Sequence, residues 1–198
     1  GSEYFVYECD EYDRNFLSYH PYVSLITGID WDHPDIYPTR ENYYQAFVDF
    51  ICQSTNVSAH PDDLERIGLS GESESISLDQ FTLAGEVNRK NGQLVVEAIG
   101  KITDKKTEEL VSIINDFPGV SRRFEEIAPR LFTDYAHTPE KVRGALQLAH
   151  EVAGDNVVVV YEGLHNTRQH FIKEDLMHLF DSVKQLYIVP SYLAREDT

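Results

Sequence analysis

Residues 131–139 read LFTDYAHTP. The run opens apolar and β-branched, as a buried strand does. It then places an acid, a phenol and an imidazole just before Thr138-Pro139. That last pair is a helix start: a threonine hydroxyl accepts from the first free amides, and proline at the first helical position has no N–H to lose. The stretch therefore reads as strand 131–134 turning into a helix that runs through Val152 and stops at Gly154. A further strand, 156–161 (NVVVVY), a helix near 171–182 and a strand at 185–189 (QLYIV) follow. Strands alternating with helices are the signature of a parallel α/β sheet.

Working toward the N-terminus, residues 4–8 (YFVYE) and 22–27 (YVSLIT) read as short buried strands. Thr39 is placed to cap a helix through Cys52, with Tyr43, Phe47, Val48 and Ile51 on one face. The polar span 53–75 reads as loop, with a helical turn near 61–67. Helices are expected at 91–100 and 105–116, the second ended by Pro118-Gly119. A boundary near Gly119 divides the chain into two α/β units, 1–119 and 120–198.

Composition narrows the function classes. The 198 residues are 41% hydrophobic and 26% charged, ordinary for a globular chain, and no segment is apolar enough over ~18 residues to span a bilayer. The net charge of −17 argues against non-specific binding to nucleic acid or an anionic membrane. It leaves room for a phosphate ligand held by Mg²⁺ and a few amides. Cys9 and Cys52 read as buried free thiols in a reducing compartment.

Ligands of doubly wound sheets sit beyond the carboxyl ends of the strands. Asp134 to Thr138 lies at such an end, where an acid can accept from ribose hydroxyls and a helix start attracts phosphate; the same residues can equally be turn and helix caps. In ITGIDWDHPD (26–35), Asp30, Asp32, His33 and Asp35 could hold a divalent metal, with Glu8 nearby if the two strands are neighbours; the alternative is a solvated acidic loop with His33 packed on Trp31 or Pro34. Arg122 and Arg123 could reach a phosphate, or could pair with Glu125 and Glu126. Asn88 and Asn91, three apart at a helix start, could read an adenine edge or cap the helix.

Taken in order, these stretches resemble the Mur ligases, the ATP-dependent amino-acid ligases of bacterial peptidoglycan synthesis. YECDEYD (7–13) resembles their E-A-D-E-x-D segment, ITGIDWDHPDIY (26–37) their T-N-I-x-x-D-H-x-D-x-Y, and GEVNRKN (85–91) their G-x-H-N-x-x-N. PGVSRRFE (118–125) resembles G-V-x-R-R-F-E, and TDYAHTP (133–139) resembles D-Y-x-H-x-P. The resemblance implies a parallel-sheet central domain and a Rossmann-like C-terminal domain, both incomplete. It implies Glu8 and His33 as Mg²⁺ ligands, Asn88 and Asn91 against adenine, Arg123 on the nucleotide phosphates, Asp134 on the ribose, and Tyr135, His137 and Thr138 in the loop facing ATP. Arg123 and His137 would be the catalytic pair, and His165 and Arg168 would meet the amino-acid substrate. The implied reaction joins L-alanine to UDP-N-acetylmuramate through an acyl phosphate, in the cytoplasm. Residues 164–168 (LHNTR) depart from the family's H-R-x-S-R-T, so a murein peptide remains an alternative acceptor. Gly28 stands where the family prefers Asn, and Val87 where it prefers His. No G-x-x-x-x-G-K-[ST] loop occurs in the 198 residues. The expectation is a fragment that is inactive alone, or else a non-catalytic binding module of the same fold.

Overall fold

The structure, a computed structural model, describes residues 3–71, 76–163 and 166–190, with the side chains of 166–169 excepted. It is a mixed α/β chain that separates into two compact units. One holds Gly1–Glu74 with Glu97–Thr103; the other holds Ser75–Val96 with Asp104–Thr198.

In the first unit, strand β1 (Val23–Ile26) leads by way of a polar loop to helix α1 (Arg40–Cys52), strand β2 (Asn56–Ala59) and the short helix α2 (Pro61–Arg66). β1 and β2 are parallel, Val23 opposite Asn56 and Ile26 opposite Ala59. α1 begins where expected because the Thr39 hydroxyl accepts the Asn42 N–H. It buries Tyr43, Ala46, Phe47 and Phe50 on one stripe. Phe16, from a 3-10 turn at Tyr12–Ser18, inserts between the Phe47 and Phe50 rings at centroid distances of 5.2 and 4.9 Å. Each such aromatic pair adds about 0.5–1.5 kcal/mol beyond the area it hides.

Three expectations change here. Residues 4–8 form no strand: Phe5 and Val6 are 87% and 90% exposed, and no described strand pairs with them. An apolar run alone does not make a strand when a ladder partner is wanting. Conversely, Asn56–Ala59 is a strand inside the span read as loop, because pairing with β1 supplies what four mostly small or polar residues do not announce. Both cysteines are free, but Cys52 is exposed, not buried, at the end of α1.

The second unit carries the N-terminal part of helix α3 (Glu86–Gly100), helix α4 (Thr107–Asn115), strands β3 (Glu125–Ala128) and β4 (Leu131–Thr133), helix α5 (Pro139–Ala153), strand β5 (Val158–Glu162), helix α6 (Asn166–Leu176) and strand β6 (Gln185–Val189). β5 and β6 are parallel, as expected. β4 is not a parallel core strand: it pairs antiparallel with β3 in a hairpin, and Leu131 is 55% exposed. The β3 strand hid in an acidic sequence, EEIA, that carries no apolar run. α3 starts five residues before the expected position, so GEVNRKN opens the helix. It lies close to α5. A Cβ on Gly85, whose φ is +85°, would come within 3.2 Å of Leu148, and one on Gly144 within 3.0 Å of Val87. Arg89 bridges to Glu151 at 2.9 Å, and Glu151 also accepts the Gly85 N–H.

Candidate functional site

Each unit carries its own group of chemistry-bearing residues. In the first, Glu11, Asp32 and His33 offer ligand atoms that lie within 4.8 Å of one another. His33 Nε2 stands 3.6 Å from a Glu11 carboxylate oxygen and 3.9 Å from Asp32. The acids are held from behind. The Tyr37 hydroxyl donates to the Glu11 carbonyl at 2.6 Å, and the Tyr43 hydroxyl donates to its carboxylate at 3.4 Å. Burial, with acids nearby, pushes the Tyr37 phenol up to about 12 and raises that of Tyr43 further, so both remain protonated donors. Asp32, 5% exposed, accepts the His33 N–H at 2.7 Å. His33 has a left-handed backbone (φ 55°) and packs edge-on against Tyr12.

Its neighbours in the acidic loop do other work. Asp30 pairs with Arg66 at 2.9 Å, and Arg66 also donates to the Ile29 carbonyl, which pins the loop to α2. Asp35 is exposed. Glu8 is exposed and is not among the grouped acids. Glu11 takes the place next to His33, and the signal that could have found it, the second acid of DEYD, is indistinguishable in sequence from a solvated charge.

In the second unit, the segment from Ser121 to Thr138 folds on itself. Arg122 and Phe124 are left-handed (φ 61° and 48°), and Asp134 closes the turn, accepting the Phe124 N–H at 2.8 Å and the Ala136 N–H at 2.6 Å. Tyr135 N–H donates to the Arg122 carbonyl. The Arg122 guanidinium sits 4.7 Å over the Tyr135 ring, and that of Arg123 lies 5.9 Å from it. Neither arginine pairs with Glu125 or Glu126. Glu125 instead accepts the Arg122 N–H and the Ser121 hydroxyl, which hold its carboxyl below the usual carboxylate range, and Glu126 accepts the Arg130 N–H. Among the described residues the two exposed guanidiniums have only ring contacts. His137 bonds the Tyr135 carbonyl through Nδ1 and stacks edge-on against its ring. Thr138, 3% exposed, caps α5 through the Lys141 N–H.

Asn88 is exposed and donates its side-chain amide to the Ala84 carbonyl just before α3. Asn91 differs. Its side-chain oxygen is buried and has no hydrogen-bond partner among the described residues, three residues along the same helix face. His165 lies outside the described residues; Arg168 lies on α6.

The donor sets fit the groups the resemblance implies. Two carboxylates and an imidazole suit a divalent cation, Mn²⁺ or Mg²⁺. Free guanidiniums suit a polyphosphate, and an unpartnered amide oxygen suits an exocyclic amine such as that of adenine. Among the described residues no helix is long and apolar enough to cross a membrane.

Comparison with known proteins gives relatives along the whole chain. No family model matches it. The UDP-N-acetylmuramate–L-alanine ligase of Lactobacillus johnsonii is 24% identical, the match covering 100% of this chain and 54% of the relative. That of Lactococcus lactis subsp. cremoris is 27% identical over 97% of this chain and 52% of its own length. Among solved structures, the UDP-N-acetylmuramate–alanine ligase of Thermotoga maritima superposes with a TM-score of 0.65 at 19% identity, covering 89% of this chain and 47% of that one. A murein peptide ligase from Psychrobacter arcticus gives 0.52 at 14%, covering 89% and 51%. The chain thus spans about half the length of the curated relatives it matches.

Proposed function

We propose, from a resemblance to the Mur ligases that runs the whole length of this chain, that it carries nucleotide- and metal-binding parts of an ATP-dependent ligase of peptidoglycan synthesis. The observation that most supports the nucleotide is the pair of guanidiniums left without carboxylates beside Tyr135. In this reading residues 1–119 correspond to the central domain of those ligases and 120–198 to the C-terminal one. Asn91 accepts from the adenine amine, with Asn88 beside it on α3. Asp134 faces the ribose, Tyr135 and Thr138 flank the nucleotide, and Arg123 meets its phosphates, where it offsets charge that spreads in phosphoryl transfer. His137, oriented by the Tyr135 carbonyl, stands ready to hold or pass a proton. His33 with Glu11 and Asp32 would hold the divalent cation, which when bound neutralises phosphate charge; Glu8 is the ligand the resemblance names in place of Glu11.

The reaction in the whole protein would activate the carboxylate of UDP-N-acetylmuramate as an acyl phosphate and let the amine of L-alanine displace phosphate, in the cytoplasm. A murein tripeptide as acceptor is the second reading, favoured by Asn166-Thr167, which depart from the L-alanine pattern. His165 and Arg168 are the residues proposed to meet the acceptor's carboxylate.

Calorimetry with Mg-ADP tests the nucleotide site. Binding in the millimolar range, weakened about tenfold by Arg123→Ala, is expected; a folded sample that gives no heat at millimolar ligand defeats the reading. The 198 residues by themselves, without a glycine-rich phosphate loop, are expected to release no phosphate. In the natural full-length protein, phosphate release with UDP-N-acetylmuramate and L-alanine, compared with the same assay using the tripeptide, decides the acceptor.

A further inference from the structure

We infer that Asp134 is a positioning residue whose carboxylate holds the Arg122–Phe124 turn in the shape that presents both guanidiniums to a polyphosphate. The inference rests on the nucleotide reading above and assigns Asp134 a task beyond meeting a ribose. Both carboxylate oxygens are engaged within the chain, one on the Phe124 N–H at 2.8 Å and the other on the Ala136 N–H at 2.6 Å. Bonds from backbone amides to a charged acceptor are among the stronger ones a surface turn can make. They act where the backbone needs them, since Arg122 and Phe124 are both left-handed, a conformation that costs a non-glycine residue about 1–2 kcal/mol.

A second carboxylate does the same from the other side: Glu125 accepts the Arg122 N–H and the Ser121 hydroxyl, each at 2.8 Å. Phe124 then stacks on Phe132 of β4 at 4.6 Å, and the Arg122 carbonyl receives the Tyr135 N–H. The consequence is electrostatic. The two acids nearest the arginines in sequence satisfy backbone donors, so neither neutralises a guanidinium. The cations lie over Tyr135, oriented yet free to accept an anion. The hairpin register, with Glu125 opposite Thr133, sets Asp134 across from Phe124, so its carboxylate closes the turn at the open end of the β3–β4 hairpin.

The test uses the whole 198-residue chain and inorganic tripolyphosphate in the presence of EDTA, so that neither base, ribose nor metal contributes. Adenosine is the second probe. Wild-type protein should show slow amide exchange at Phe124 and Ala136, and Asp134→Asn should lose it. The same substitution should weaken tripolyphosphate about tenfold, the effect of losing one charge-assisted bond. It should add nothing further in an Arg122→Ala/Arg123→Ala background, because a positioning residue has nothing left to position there. Glu125→Gln, which leaves Asp134 intact, should weaken tripolyphosphate in the same direction. Unchanged tripolyphosphate affinity with lost adenosine binding would make Asp134 a ribose acceptor only and overturn the inference. A loss that persists in the arginine-free background would overturn it too. Wild-type protein that fails to bind tripolyphosphate at all would instead remove the phosphate site on which the inference stands.

Discussion

At the scale of single residues, the structure separates side chains that are satisfied from side chains that wait. Asn88, Thr138 and Asp134 all make the capping or turn bonds that their positions allow. Asn91 does not: its buried oxygen lacks a partner, and an acceptor left so costs about 1–3 kcal/mol. Replacing it with an apolar residue of similar volume removes that cost. Asn91→Leu is therefore expected to leave the melting temperature unchanged or raise it by a few degrees, while weakening Mg-ADP about tenfold. Thermal melts and calorimetry on the same samples check both halves. A melting temperature that falls by several degrees would mean that the amide oxygen has a structural partner in solution and is not kept open for a ligand.

At the scale of elements, the contact of α3 with α5 carries a titratable lock. Arg89, the Gly85 N–H and Gln147 all bond the Glu151 carboxyl and hold it at about 2, below the ordinary carboxylate value of about 4.3. The folded form thus releases its proton more readily than the unfolded chain. The lock's contribution is complete above about pH 4.3, declines as the pH falls, and is gone below about 2. Glu151→Gln should accordingly melt below wild type at pH 7 and merge with it near pH 2; a constant gap across that range would show that shape, not charge, is what the substitution removes. At the start of α5, Thr138→Ala should cost about 1 kcal/mol through the lost cap, read as a lower denaturant midpoint with an unchanged slope. Which elements were legible follows from where their information sits. α1 and α5 announce themselves by local chemistry, a threonine cap and, for α5, a proline at its first position. β2, β3 and the early start of α3 depend on partners distant in sequence, which four residues such as NVSA or EEIA cannot encode alone. The reverse failure, residues 4–8, has strand composition and no described ladder to join.

For the whole molecule, the excess of 34 acids over 17 bases sets how it meets cations. Self-repulsion at net charge −17 should make the fold more stable as ionic strength rises, and any divalent ion will add a non-specific share. The specific share can be isolated at constant ionic strength with Mn²⁺, whose preference for mixed carboxylate and imidazole donors matches Glu11, Asp32 and His33. The motif order in the sequence names His33, which the structure places beside Glu11 and Asp32, but only the three-dimensional arrangement, with Tyr37 and Tyr43 bracing Glu11, distinguishes Glu11 from Glu8. Millimolar Mn²⁺ should therefore raise the melting temperature beyond what matched sodium chloride does. His33→Ala and Glu11→Gln should erase that increment, and Glu8→Gln should leave it intact, since Glu8 is exposed and apart from the group. Loss of the increment in Glu8→Gln as well would mean that the segment 4–8 folds onto the ion when it binds, and that Glu8, the ligand implied by the family resemblance, joins Glu11 in completing the site.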